Sequence, residues 1–95
     1  MALLDLLGRR WALRVLWELR EGPLQFRALQ ARCDGMSSSV LNDRLGELRS
    51  AGIVELGEEG YALSEEGVRL LAGLEPLQAW SERWAARAVT PRASA

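Results

Sequence analysis

The 95-residue chain has no histidine and no lysine, and its single cysteine is Cys33. Without imidazole the usual proton shuttle near neutral pH is missing, and without lysine there is no Schiff-base amine. One thiol can form neither an internal disulfide nor a cluster of zinc ligands. No nucleophile–base pair can be assembled from what remains, so the expectation is a non-enzyme with no cofactor and no metal. Long apolar runs are also missing: arginines and glutamates interrupt every leucine-rich stretch, which excludes a segment of about 18 apolar residues able to span a membrane. The start MALLDLLGRRW has no positive region followed by an uninterrupted apolar stretch, so a cytoplasmic protein is expected.

What is present is ordinary globular material, 48% apolar and 26% charged, in a length that fits one domain. A chain this short hides only roughly 60–65% of its unfolded surface, so pairing with a second copy is a natural source of stability. Twelve arginines against thirteen acids leave a net charge of −1, which is not the basic excess of a typical nucleic-acid binder. The charge is uneven, however. Residues 1–50 carry eight Arg and six acids, and the remainder four and seven. An anionic partner should therefore meet the N-terminal half.

Leu4, Leu7, Trp11 and Val15, continued by Leu16 and Leu19, recur at helical spacing. Gly8 splits this stripe into a short first turn and a helix of about 9–20, which Gly22-Pro23 ends. Phe26, Leu29 and Cys33 mark a second short helix, with Cys33 on its apolar face and Arg27, Gln30 and Arg32 turned outward. Ser37 caps a third helix of about 38–51, with Leu41, Leu45 and Leu48 inward and Gly52 as its left-handed terminator. Its outward face, Ser39, Asp43, Gly46 and Ser50 with Asn42 beside them, is small and polar. Ile53–Leu56 and Tyr61–Leu63 read as a hairpin around Gly57-Glu58-Glu59-Gly60. Ser64 caps a last helix to about residue 89, with Glu65 and Glu66 in its first turn and a break into two segments expected at Pro76. The domain is thus 1–89, and 90–95 is expected to be a flexible tail.

Helix, helix, turn, helix, hairpin, helix is the order of a winged helix-turn-helix, mainly α with a small β-hairpin, in which the third helix enters the major groove. The segments LLGRRWALRVLWELREGPLQFRAL, GMSSSVLNDRLGELRSAGIV and YALSEEG resemble the HxlR-type bacterial transcription regulators over residues 3 to about 84. Gly8, Arg10, Trp11, Gly22, Pro23, Phe26, Gly35, Ser37, Leu41, Arg44, Leu45, Leu48, Gly52 and the run Tyr61 to Gly67 carry the likeness by their order and spacing. The resemblance implies a homodimer binding double-stranded DNA at a pseudo-palindromic operator, joined through terminal helices. It departs from the family at Gln25 and Ser39, where relatives often carry a basic residue, and in lacking the N-terminal cysteine through which several relatives sense oxidants. DNA affinity should accordingly be modest.

On the third helix, Asn42 offers an amide able to pair with adenine, and Ser38 and Ser39 are small enough to allow close approach. Ser37 and Ser38 can hold a phosphate at the helix N-terminus, with Arg27 and Arg44 as further phosphate contacts. Arg44 has an alternative in an ion pair with Glu47. Asp43 faces the same surface, either accepting from cytosine N4 or repelling phosphate. Glu58 and Glu59 tip the wing with charge that disfavours the minor groove. Leu4, Leu7, Leu70, Leu74, Leu77, Trp80 and Trp84 spread over too wide an arc for one small domain to cover and are expected at the dimer interface. No small-molecule effector can be read from the sequence. The alternative function is a winged-helix protein-interaction module, favoured by the acidic wing and the lack of a basic excess.

Overall fold

The computed structural model describes residues 2–94, with side chains described over 3–87. The elements are α1 (Ala2–Leu7), α2 (Ala12–Glu18), α3 (Phe26–Arg32), α4 (Ser38–Ser50), β1 (Val54–Gly57), β2 (Gly60–Leu63) and α5 (Glu65–Ser94). Val15, Leu16, Leu19, Leu29, Cys33, Leu41, Leu45 and Leu48 form the centre of one core, closed by Ile53 and Val54 at the hairpin. Cys33 is fully buried there, as its place on the apolar face of the second short helix implied. Burial pushes its thiol pKa up against the pull of Arg14, with Glu18 and Asp34 adding to the rise.

The helix expected from about residue 9 starts instead at Ala12, because Trp11 precedes it in a left-handed conformation at φ 77°. A bulky side chain is costly at positive φ. The indole compensates by packing half-buried against the core, with the Arg10 guanidinium 5.8 Å from its ring centre. This elbow sets the direction in which α1 leaves the domain.

Local chemistry fixes both ends of α4. The Ser37 hydroxyl accepts the Val40 N–H at 3.2 Å, satisfying one of the free donors of the first turn. At the other end Gly52, at φ 77°, donates to the Arg49 carbonyl at 3.0 Å, and Ile53 donates to the Leu48 carbonyl at 2.9 Å. That pair of bonds is a Schellman ending, and it turns the chain directly into the hairpin.

In the hairpin Val54 pairs with Leu63 and Gly57 with Gly60, leaving Glu58 and Glu59 as a two-residue turn. A third piece of chain joins it: Leu24 and Tyr61 exchange backbone hydrogen bonds of 2.9 and 2.8 Å. Gly60, at φ 116°, makes room for this crossing, since a Cβ there would lie 2.5 Å from the Leu24 carbonyl oxygen. The hairpin is thereby fastened to the segment between α2 and α3.

Ser64 joins α5 to this arrangement. Its hydroxyl accepts the Gly67 N–H at 3.1 Å and lies 2.6 Å from the Gly52 carbonyl oxygen, while its own N–H donates to Ile53 O at 2.9 Å. The expected break at Pro76 does not occur, and α5 is one helix of 30 residues. Proline removes one donor and its ring crowds the preceding turn, at a local cost of about 3 kcal/mol, while Leu74, Glu75, Leu77, Gln78 and Ala79 around it all favour helix. The helix also passes the end expected near residue 89, so the backbone of 90–94 is helical rather than aperiodic; the alanine-rich approach over 85–88 favours continuation. At 1.5 Å per residue, α5 is about 45 Å long, which accounts for the elongated dimensions of 51 × 26 × 25 Å. No helix among the described residues is long and apolar enough to cross a membrane.

Candidate nucleic-acid interface

Helix α4 turns Leu41, Leu45 and Leu48 inward, and the 3.6-residue repeat then places Ser39, Asn42, Asp43, Gly46 and Ser50 on solvent, all exposed. Ser37 and Ser38 are exposed at its N-terminus, and the Ser37 and Ser39 hydroxyls lie 3.4 Å apart. The surface is shallow, because its residues are small. Beside it, an open groove of about 930 Å³ separates α4 from α1, with Leu3 and Leu6 on one wall and Asn42, Asp43, Gly46 and Glu47 on the other. Among the described residues, none fills the approach to Asn42.

Arg27 stands exposed on α3 and belongs to no ion pair among the described residues. Arg44 is placed differently. Its side chain is only 15% exposed, and Nη1 donates to Glu47 at 2.5 Å. The alternative of an ion pair with Glu47 is therefore the arrangement adopted, and reaching a phosphate would require breaking it. Glu58 and Glu59 are exposed at the wing tip, so two carboxylates face the solvent there.

The residues expected at a subunit interface divide into two groups. Leu4, Leu77, Trp80 and Trp84 are half or more exposed, and the two indoles stack with ring centres 5.9 Å apart. Leu7, Leu70 and Leu74 are half-buried, and Leu7 and Leu70 pack against the core of their own chain. Leu13 and Trp17 on α2 are exposed as well. They line a groove of about 730 Å³ against Val68, Leu71 and Leu77 of α5.

A helix pair ending in a bare, small-residue helix, followed by a hairpin wing, defines a winged helix-turn-helix DNA-binding regulator. Residues 6–89 match the HxlR-like helix-turn-helix family, and the chain belongs to it. It is 34% identical over 87 residues to the HTH-type transcriptional regulator YodB of Bacillus subtilis, an alignment covering 84% of this chain and 78% of YodB. An uncharacterized HTH-type transcriptional regulator of Methanocaldococcus jannaschii is 25% identical over 88 residues, covering 88% of this chain and 83% of that protein. Among solved structures, quinone-bound YodB from B. subtilis superposes with a TM-score of 0.81 at 33% identity, over 86% of this chain and 93% of that one. A possible HxlR family transcriptional factor from Thermoplasma volcanium follows at 0.76 and 28%, over 87% and 81%. The family and these relatives are transcriptional regulators, not enzymes.

Sequence reasoning missed the contact between Arg9 and Glu47, 3.9 Å apart across the elbow and α4. No spacing rule relates a residue before α2 to one on α4. Only the left-handed turn at Trp11 brings them together.

Proposed function

We propose that the protein acts as a homodimer that binds a pseudo-palindromic operator sequence-specifically, each subunit placing α4 in the major groove. The observation that carries this reading is the uncovered polar face of α4, on which Ser39, Asn42 and Asp43 are all exposed. In the proposed complex Asn42 reads a base edge, and Asp43 discriminates by accepting from cytosine or by opposing misplaced phosphate. Ser37, Ser38 and Arg27 hold the backbone, while Arg44 supports α4 through Glu47 unless that pair opens. The working domain is 1–89. Leu4, Leu7, Leu70, Leu74, Leu77, Trp80 and Trp84 supply the subunit interface, a reading supported by the exposure of Leu4, Leu77 and both tryptophans. Two recognition helices then lie about 34 Å apart, one turn of DNA. The quinone of the YodB structure makes a small effector a reasonable object of search here as well. Addition of an electrophile at the buried Cys33 is not the expected route.

Selection of bound duplexes from a random pool tests the assignment. Asn42→Ala should shift base preference at one position per half-site, and Arg27→Ala should weaken all sites alike. Retention of the wild-type preference by Asn42→Ala would remove the base-reading role. Sedimentation showing a monomer at micromolar concentration would remove the palindromic operator. A protein-interaction module is the second reading, favoured by Glu58 and Glu59 at the wing tip and the net charge of −1. Affinity for DNA that falls steeply with salt excludes it, because only phosphate neutralisation gives that dependence.

A further inference from the structure

We infer that Glu47 is an internal competitor of DNA phosphate for the Arg9 guanidinium, so that Arg9 is a phosphate contact held in reserve; this rests on the regulator reading above. One Glu47 oxygen accepts from Arg44 Nη1 at 2.5 Å, and the other lies 3.9 Å from Arg9 Nε, an ion pair without a hydrogen bond. The two cations are not equivalent. The Arg44 side chain is 15% exposed, its buried Nε makes no hydrogen bond, and Nη1 ties it to the Glu47 carboxylate. Arg9 is 59% exposed and free to swing. Glu47 itself lines the open groove together with Asn42 and Asp43, which places the Arg9 guanidinium at the rim of the surface proposed to meet DNA. An exposed ion pair at this separation is weak, whereas the phosphates of a duplex form a dense line of charge whose neutralisation releases counterions. On binding, Arg9 transfers from carboxylate to phosphate, and the Glu47 charge left behind opposes the complex. Glu47 thus lowers affinity without touching a base, and Arg44 acts as a positioning residue that keeps the carboxylate in reach of Arg9.

Binding of a duplex selected with the wild-type protein, titrated at about 50 and 200 mM salt, tests this. Glu47→Gln should bind more tightly at both salts, because Arg9 meets phosphate in both complexes and only the opposing carboxylate is removed. The gain should vanish in an Arg9→Ala background. Replacing both partners, Arg44→Met with Glu47→Met, leaves the net charge unchanged and should give the same Arg9-dependent gain. An equal gain with and without Arg9 would reduce the effect to general charge repulsion and overturn the inference. A loss of affinity in the double-Met variant would put Arg44 itself on phosphate and overturn it also. Should these variants fail to fold, the Arg9 Nε–H resonance of the wild-type protein decides: it should shift on adding duplex, and an unmoved resonance overturns the inference. Binding that persists while these tests fail leaves the regulator reading intact. Absence of any duplex binding by the wild-type protein at low salt rejects both.

Discussion

Replacing Gly67 by alanine sets helix propensity against packing, and the two predict opposite signs. In a helix, Gly→Ala is favourable by up to about 1 kcal/mol. At Gly67, however, a Cβ would stand 2.2 Å from the Ile53 carbonyl oxygen and 3.2 Å from Leu63 Cβ, so the root of α5 must retreat from the hairpin. Retreat stretches the Ser64 N–H bond to Ile53 O, now 2.9 Å, and the contact of its hydroxyl with Gly52 O, now 2.6 Å. Overpacking of this kind costs about 1–3 kcal/mol, and each weakened hydrogen bond about 1 kcal/mol. Packing should win, giving a net loss of about 2–4 kcal/mol. Gly73 lies in the same helix, and a Cβ there meets nothing within 4 Å, so Gly73→Ala should instead gain up to about 1 kcal/mol. Thermal melts at matched protein concentration measure both, at about 4–8 °C per kcal/mol for a domain of this size. A Gly67→Ala variant that melts at or above the wild-type temperature would refute the packing argument.

Ser37→Ala removes the acceptor of the Val40 N–H and should cost about 0.5–2 kcal/mol, read as a lower urea midpoint at unchanged m-value. Gly52→Ala forces a Cβ into φ 77° and should cost about 1 kcal/mol by the same measurement. Cys33 in the native protein should react with a thiol reagent at pH 8 only as fast as the core opens, and rapid labelling would refute its packed assignment. Because burial raises the Cys33 pKa above its ordinary 9.0, the stability tied to its neutral form is complete below that pH. It is lost as pH rises beyond it, when the unfolded thiol ionises first. Cys33→Ala should lessen the alkaline decline, as followed by denaturation midpoints between pH 8 and about 10.

The parts of this fold that were legible in the sequence are those decided by neighbours along the chain. The Ser37 cap, the Leu41-Leu45-Leu48 stripe, the Gly52 stop and the glycine-bounded hairpin each depend on side chains within a few residues, and each stands where the spacing put it. The start of α2 was misplaced because a left-handed tryptophan is unfavourable locally and is stabilised by the half-buried packing of its indole against the core. The helix crosses Pro76 although the lost donor and ring clash cost about 3 kcal/mol locally, and the residues on either side all favour helix. The Leu24–Tyr61 bridge is backbone to backbone and leaves no mark in side-chain patterning. At the candidate site, periodicity identified which α4 residues face outward. It could not show that Arg44 lies mostly covered against Glu47, because flank positions of a helix are decided by whatever packs beside them.

Among the described residues, helix α5 is anchored through its first turns, where Leu70 also packs on the core. Ser64 and Gly67 fasten its first turn, while Leu77, Trp80 and Trp84 farther along are bare. Such a rod is a lever, and its fulcrum is the tight contact of Gly67 with Ile53. A tilt of roughly 5° there moves the far end of a helix about 45 Å long by roughly 4 Å. A packing change too small to disturb the wing would therefore be magnified, at the tip, to about the width of a side chain.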